Sequence, residues 1–324
     1  MSADPLTGSL PRPFISERFA GMRALVLNKT LSFRLDYPKP KPVGDEALVR
    51  VYYAGICATD LELVKGYMGF SGVPGHEFSG VVERAPDKSL VGRRVTGSIN
   101  IGCGACLECA SGLENHCARR RVLGILNKDG AFAEYLTLPQ KNLHILPESL
   151  SWEEGVFVEP LGAAFEIIRQ VPVGQGVKVA VLGDGKLGLL VALVLQQTGC
   201  DLTLVGRHSE RLLDFKEKGV TVSRGMEGLS GGFDITVDCT GRDEGLSNAI
   251  SITRPRGTVI LKTTVAKRSQ DVLNRVVINE ITLLGSRCGP FPPAIRAIAD
   301  GSIDVSPFIS AVYPLRDGLR ALEE

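Results

Sequence analysis

A thiol, a hydroxyl and a carboxylate stand close together at Cys57, Thr59 and Asp60, and nineteen residues after the cysteine comes the pair His76–Glu77. Cys, His and carboxylate are the ligand types of a catalytic zinc, which keeps one position open for water or substrate. A buried Cys is more often a small apolar filler. The set therefore draws its weight from two later segments.

In the first, CGACLECASGLENHC, two-residue gaps separate Cys103, Cys106 and Cys109, and Cys117 follows after seven more residues. Such gaps let successive thiolates turn around one ion, and four thiolates make a closed tetrahedral site, so this zinc would be structural. Iron–sulfur clusters also take four thiolates, but their usual runs differ. With four thiolates already present, His116 is a bystander.

The second begins with the apolar run Val177–Leu182, fit for a strand buried on both faces. It leads into Gly183-Asp-Gly185-Lys186-Leu187-Gly188 and then a helical LLVALVLQQTG. Strand, glycine loop and helix in that order are the context that makes G-x-G-x-x-G a dinucleotide signal. Gly183 permits the tight turn, Gly185 the approach of a pyrophosphate, and Gly188 close strand–helix packing. Free amides at the helix start, around Lys186 and Leu187, bind the diphosphate. The next strand, DLTLV, should end in an acid for the adenosine ribose. The chain instead reads Gly206-Arg207-His208-Ser209-Glu210-Arg211. Without a carboxylate nothing there repels a 2′-phosphate, and Arg207 could bind one through its guanidinium, with His208 and Arg211 alongside. This predicts NADP(H) over NAD.

Around these motifs the chain is ordinary. Its 324 residues suggest two domains. With 37 Lys+Arg against 36 Asp+Glu there is no electrostatic case for nucleic acid or an anionic membrane. No apolar run reaches the roughly 18 residues of a membrane span. Residues 1–21 lack an apolar core segment and read as an extension, not a secretory signal. Four of the eight cysteines crowd into the 103–117 segment, which favours metal over disulfides and a reducing compartment, the cytoplasm. Cys200, Cys239 and Cys288 read as packing residues, and His144 as structural.

Short β-rich runs broken by Pro and Gly (MRALVL, ALVRVYYAGI, FSGVVERA, RRVTG, FAEYLTL) make the first half an irregular all-β domain. Lys39–Pro42 reads as a stiff turn. A helical period runs through Leu161–Val171 with Pro160 in its first turn, placing Glu159 just ahead of the helix, where an acid complements the dipole. Strands at FDITVDCTG, GTVILKTT and EITLLGS alternate with helical patterns, as in a parallel, helix-covered sheet.

GICATD, PGHEFSGVV and CGACLECASGLENHC, followed by the nucleotide fold, resemble the zinc-dependent medium-chain alcohol dehydrogenases, with the polyol, threonine and sugar branches nearest. The resemblance runs from about Met22 to the C-terminus. It implies an α/β protein: a GroES-like irregular β-domain over 22–160 and 289–324, with a structural-zinc lobe at about 100–120, and a Rossmann doubly wound parallel sheet over 161–288. It also implies a homodimer or homotetramer. Two zinc ions are expected, one catalytic and one structural. Glu159 becomes a zinc ligand or a nearby carboxylate, and either Glu77 or Glu159 completes the Cys57–His76 set. Thr59 would take the substrate proton and Asp60 would orient His76. Family members commonly have His where this chain has Glu62, so the onward relay runs through Glu62 or by another route. The family normally continues past DGLRALEE into one more strand, so the chain is read as truncated or as lacking it. The expected reaction is hydride transfer between an alcohol or carbonyl compound and the nicotinamide. A zinc-free quinone or enone reductase would drop Cys57 and His76, and a non-catalytic nucleotide-binding protein would tolerate loss of ligands or Thr59. This chain keeps all of them.

Overall fold

The computed structural model describes residues 21–263 and 271–324; the extension read at 1–21 lies, but for Gly21, outside them. Two sheets organise the chain. The first is a five-stranded antiparallel sheet in the order Tyr135–Pro139, Glu46–Gly55, Glu77–Arg84, Arg94–Gly97, Leu143–Ile145. Its apolar face buries Ala47, Val49, Phe78, Val82, Val95, Leu136 and Leu138. A hairpin, Gly21–Asn28 with Thr30–Pro38, packs beside it. The second half of this hairpin falls partly in a stretch that the sequence presents as a Pro-rich connection; its strand ends at Pro38, and Lys39–Val43 is irregular as expected.

The second sheet has six parallel strands in the order Thr221–Arg224, Asp201–Gly206, Lys178–Leu182, Phe233–Asp238, Thr253–Leu261, Thr282–Gly285. In chain order this is the 3-2-1-4-5-6 arrangement of doubly wound dinucleotide folds. Period-two alternation explains its two cores. Val179 and Val181 point to one, with Leu204, Val237 and Ile260, while Ala180 and Leu182 point to the other, with Val205 and Val259. Both faces are buried, as continuous apolar runs require.

The helix Val158–Gln170 ties the halves together. Its buried Val158, Leu161, Ala164 and Ile167 join the core of the parallel sheet. It starts earlier than the apolar period suggests, so Glu159 lies inside its first turn instead of ahead of it. A separate short helix, Trp152–Val156, precedes it, capped by Ser151, which accepts from the Glu154 N–H at 3.1 Å. Past the last parallel strand, Phe291–Ala299 forms a helix on this same core. Leu315 and Leu322 then pack on the first hairpin.

Steric space at two loop glycines differs sharply. A Cβ on Gly188 would lie 1.9 Å from Gly183 O, whereas one on Gly185 would meet nothing within 4 Å. Gly188→Ala should therefore cost about 1–3 kcal/mol of stability by overpacking, and Gly185→Ala less than about 0.5 kcal/mol. Denaturant titration of the two variants checks this; equal losses would contradict it.

Candidate active site

Cys57 closes the strand Glu46–Gly55 onto the helix Ala58–Val64 and sits at its N-cap. Its N–H donates to Asp60 Oδ2 at 2.9 Å, and its Sγ lies 3.7 Å from Thr59 Oγ1. Asp60, fully buried, also accepts the Gly75 N–H at 3.2 Å and stands 3.3 Å from His76 Nδ1. That last contact meets an ion-pair distance without hydrogen-bond geometry, leaving His76 Nδ1 without a hydrogen-bond partner. Gly75 has φ +93°, and a Cβ there would strike the Phe132 ring, so the turn delivering His76 needs glycine. Glu77 pairs in register with Gly55, where a Cβ would lie 2.5 Å from Glu77 Oε2. Gly55 makes the room that Glu77 occupies.

Donor atoms of Cys57, His76 and Glu77 lie within 4.8 Å of one another. Glu159 falls outside that set, although it faces the same His76 and Asp60 charges. Burial pushes the Glu77 carboxyl up to about 7, against the pull of His76 and helped by Glu159 and Asp60. Burial raises Glu159 as well. For His76 burial works downward, but the Asp60 and Cys57 charges overcome it and hold the imidazole well above its ordinary value. Acids crowded like this, away from solvent, suit a bound cation. The types and spacing fit zinc with a position left open.

The four thiols of Cys103, Cys106, Cys109 and Cys117 also converge within 4.8 Å. Cys103 Sγ and Cys109 Sγ are 4.0 Å apart, near the roughly 3.8 Å edge of a tetrahedron with ~2.3 Å zinc–sulfur bonds. All eight cysteines are free thiols. The Ala105 N–H is the main cause bringing the Cys103 thiol down to about 6. His116 belongs to no ligand set.

On the parallel sheet, Gly183 adopts φ +108° and Gly185 caps the helix Lys186–Gln196. Lys262, just past the strand Thr253–Leu261, reaches back to donate to Ala163 O at 2.7 Å and Ser286 Oγ at 3.2 Å. Burial lowers its ammonium, while Cys239, Cys288 and Glu159 pull the other way. The helix Val158–Gln170 thus carries Glu159, which feels the His76 charge, and accepts from Lys262 at the end of the parallel strand Thr253–Leu261.

The match to the Alcohol dehydrogenase GroES-like domain covers residues 44–148, and the match to Ketopantoate reductase PanE/ApbA covers 179–230. A 2-dehydro-3-deoxy-L-galactonate 5-dehydrogenase of Pseudoalteromonas atlantica is 31% identical over 297 residues, 85% of this chain and 86% of that protein. The chain belongs to the zinc-type medium-chain alcohol dehydrogenase superfamily. A solved structure from Sinorhizobium meliloti, provisionally described as a zinc-binding dehydrogenase bound to NADP, has TM-score 0.85 at 28% identity, covering 94% of this chain and 95% of that one. An Escherichia coli alcohol dehydrogenase complexed with NADH has TM-score 0.84 at 25% identity, covering 93% and 94%.

Within this dehydrogenase frame, Cys57, Thr59, Asp60, His76 and Glu77 come together. Glu62 does not join them: it is exposed and paired with Lys65 at 2.8 Å. His144 is structural, its Nε2 2.8 Å from Ser98 Oγ. Cys288 does more than fill space; its Sγ accepts from Asn100 Nδ2 at 3.1 Å. The expectation that no carboxylate stands at the end of the second parallel strand fails in space. Asp184, from inside the glycine loop, occupies that position, accepting from the N–H groups of Arg207 at 2.8 Å and His208 at 2.7 Å. Lys262 and Asp184 carry no signal in the residue pattern, since only the fold brings Lys262 to the helix bearing Glu159 and Asp184 to the Arg207–His208 turn.

No helix among the described residues is long and apolar enough to cross a membrane.

In chelator-treated protein, Glu77 titrates near 7 when folded and near 4.5 when unfolded. The folded state then binds more protons between those values, so its stability is full below about 4.5 and falls as pH rises through about 7. Melting temperatures should drop across this window, and Glu77→Gln should flatten the drop. Parallel pH profiles for the two proteins would refute the assignment.

Proposed function

We propose that the chain is a zinc-dependent oxidoreductase that moves a hydride between a small alcohol or carbonyl compound and a nicotinamide dinucleotide. The observation that carries this reading is the convergence of Cys57 with the buried His76 and Glu77 beside Thr59, in a chain whose six-stranded parallel sheet carries a G-x-G-x-x-G loop after the strand Lys178–Leu182. Cys57, His76 and Glu77 would hold the catalytic ion, and Cys103, Cys106, Cys109 and Cys117 the structural one. Bound zinc supplies a Lewis acid for the substrate oxygen at the first site.

This chain's own groups do the rest. Asp60 fixes the orientation of His76 from behind, as carboxylates commonly do for ligating imidazoles. Thr59 accepts the hydroxyl proton of the alcohol and passes its own onward, or runs the relay backward in carbonyl reduction. Glu62, one turn along the same helix and open to solvent, is the exit for that proton. Glu159 stands as a second carboxylate beside the first set, with Lys262 balancing its charge. Gly183, Gly185 and Gly188 seat the dinucleotide, with the amides at Lys186 and Leu187 for its pyrophosphate. Arg207 and Arg211, with His208 between them, would attract a 2′-phosphate and Asp184 would repel it, and the balance between them decides NADP(H) against NAD(H). The relative named above acts on a sugar-acid derivative, and an Aspergillus clavatus relative 28% identical to this chain is named as a probable D-xylulose reductase, so polyols and sugar derivatives are the first substrates to screen.

Cys57→Ala should lose one of two zinc ions per chain and essentially all turnover while keeping a cooperative melt. Thr59→Val should keep both ions and lose about 10²-fold or more in kcat. Metal analysis with steady-state kinetics checks both; an active Cys57→Ala would remove the catalytic-metal reading.

A further inference from the structure

The strand Asp201–Gly206 ends in a residue with no side chain, where dinucleotide folds ordinarily place the acid that recognises the adenosine ribose. The space is nevertheless filled. A Cβ on Gly206 would lie 2.5 Å from Asp184 Cγ and Oδ2. Asp184 is 5% exposed, and its Oδ2 takes three donors: the N–H of Arg207 at 2.8 Å, the N–H of His208 at 2.7 Å and His208 Nδ1 at 3.0 Å. Those two amides lead into the helix Ser209–Glu217, with His208 as its N-cap. They are the backbone donors that an anion at this corner would use.

We infer that Asp184 is the cofactor-discriminating residue: its carboxylate stands in for the missing strand-end acid, fills the anion corner and selects NAD(H) against the 2′-phosphate of NADP(H). The inference rests on the dinucleotide reading of the glycine loop.

The neighbouring Arg207, His208 and Arg211 do not undo this, because each already has a partner. Arg207 Nη2 lies 3.7 Å from Glu244 Oε1, at the start of the helix Asp243–Ile252. His208 Nδ1 faces Asp184, and Arg211 Nη1 donates to the Asp184 carbonyl at 2.9 Å. A 2′-phosphate would have to displace Asp184 from two amides and approach a second carboxylate at Glu244. Like charges placed so close oppose binding. A ribose with free hydroxyls needs only an acceptor, which the remaining carboxylate oxygen supplies. Asp184 is also held ionised: burial works upward on it, but the amides and imidazole of Arg207 and His208 bring its pKa below the ordinary value.

The steric relation supplies its own control. Asp184→Gly should free both the amides and the space over Gly206, and Asp184→Gly with Gly206→Asp should return the carboxylate to the strand end. NADH and NADPH are titrated by fluorescence into the full-length, zinc-loaded protein and each variant. The wild-type chain should bind NADH about tenfold or more tightly than NADPH. Asp184→Gly should shift that ratio at least about tenfold toward NADPH, and the double variant should shift it back. Should Asp184→Gly not melt cooperatively, Asp184→Asn, which keeps the shape and an acceptor but removes the charge, carries the same expectation. A wild-type preference for NADPH, or a ratio unmoved in a folded Asp184 variant, overturns the inference while leaving the dinucleotide site standing. Failure of the wild-type chain to bind either nucleotide overturns both.

Discussion

The groups around His76 answer to one electrostatic constraint. Asp60, Glu77 and Glu159 are buried carboxylates grouped with the Cys57 thiol around a single imidazole, His76. In such surroundings anions are disfavoured unless a cation compensates them. The direction of each perturbed group follows: the Glu77 and Glu159 carboxyls are pushed up by burial, and His76 is pushed up by the Asp60 and Cys57 charges. A divalent ion among the three donors reverses those preferences, because bound ligands must shed their protons. The scaffold is shaped to keep this costly arrangement. Gly55 leaves space for Glu77, Gly75 turns His76 inward, and the Cys57–Asp60 capping interaction fixes the thiol and the carboxylate beside His76 from one helix start.

The parallel sheet meets that group of residues through side chains as well as topology. Lys262 is anchored on the helix bearing Glu159 and on Ser286, so the end of one strand holds the helix one turn past the acid. Close backbone approaches do similar work, with Gly289 lying where a Cβ would be 1.9 Å from Gly162 O. In the proposed reaction a hydride acceptor on the sheet and a donor at the Cys57–His76–Glu77 set would need a fixed separation, to which such contacts would contribute.

The donor sets and the glycine loop were legible because their chemistry is local: residue type, short spacing and a flanking strand or helix suffice. Five of the six parallel strands were legible for the same reason, as apolar runs between helical periods; the edge strand Thr221–Arg224, four residues with no buried position, carries no such run. What escaped depends on where loops meet. Glu77 and Glu159 read alike in sequence, and only the register of Glu77 with Gly55 brings one of them within reach of Cys57 and His76. Asp184 occupies a variable position of the glycine motif, and its partners lie 23 and 24 residues away. The strand Thr30–Pro38 was obscured by charge and proline at its end, and it forms because Gly21–Asn28 offers it a partner. Glu62 reads as a relay group by position, and only the fold shows that it lies outside the donor set, open to solvent and paired with Lys65.

In the proposed reading one chain holds two zinc sites of different chemistry, one mixed and open, one all-thiolate and closed. X-ray absorption at the zinc edge tests it most directly, since it reads the ligands of every bound zinc. Five thiolates shared between two ions, Cys57 in one set and Cys103, Cys106, Cys109 and Cys117 in the other, predict an average near 2.5 sulfur ligands per zinc, with the balance nitrogen and oxygen. The average should rise toward four in Cys57→Ala, where only the closed site remains. An average of four in the wild-type protein at full loading would mean that Cys57, His76 and Glu77 hold no metal, and the account would fail.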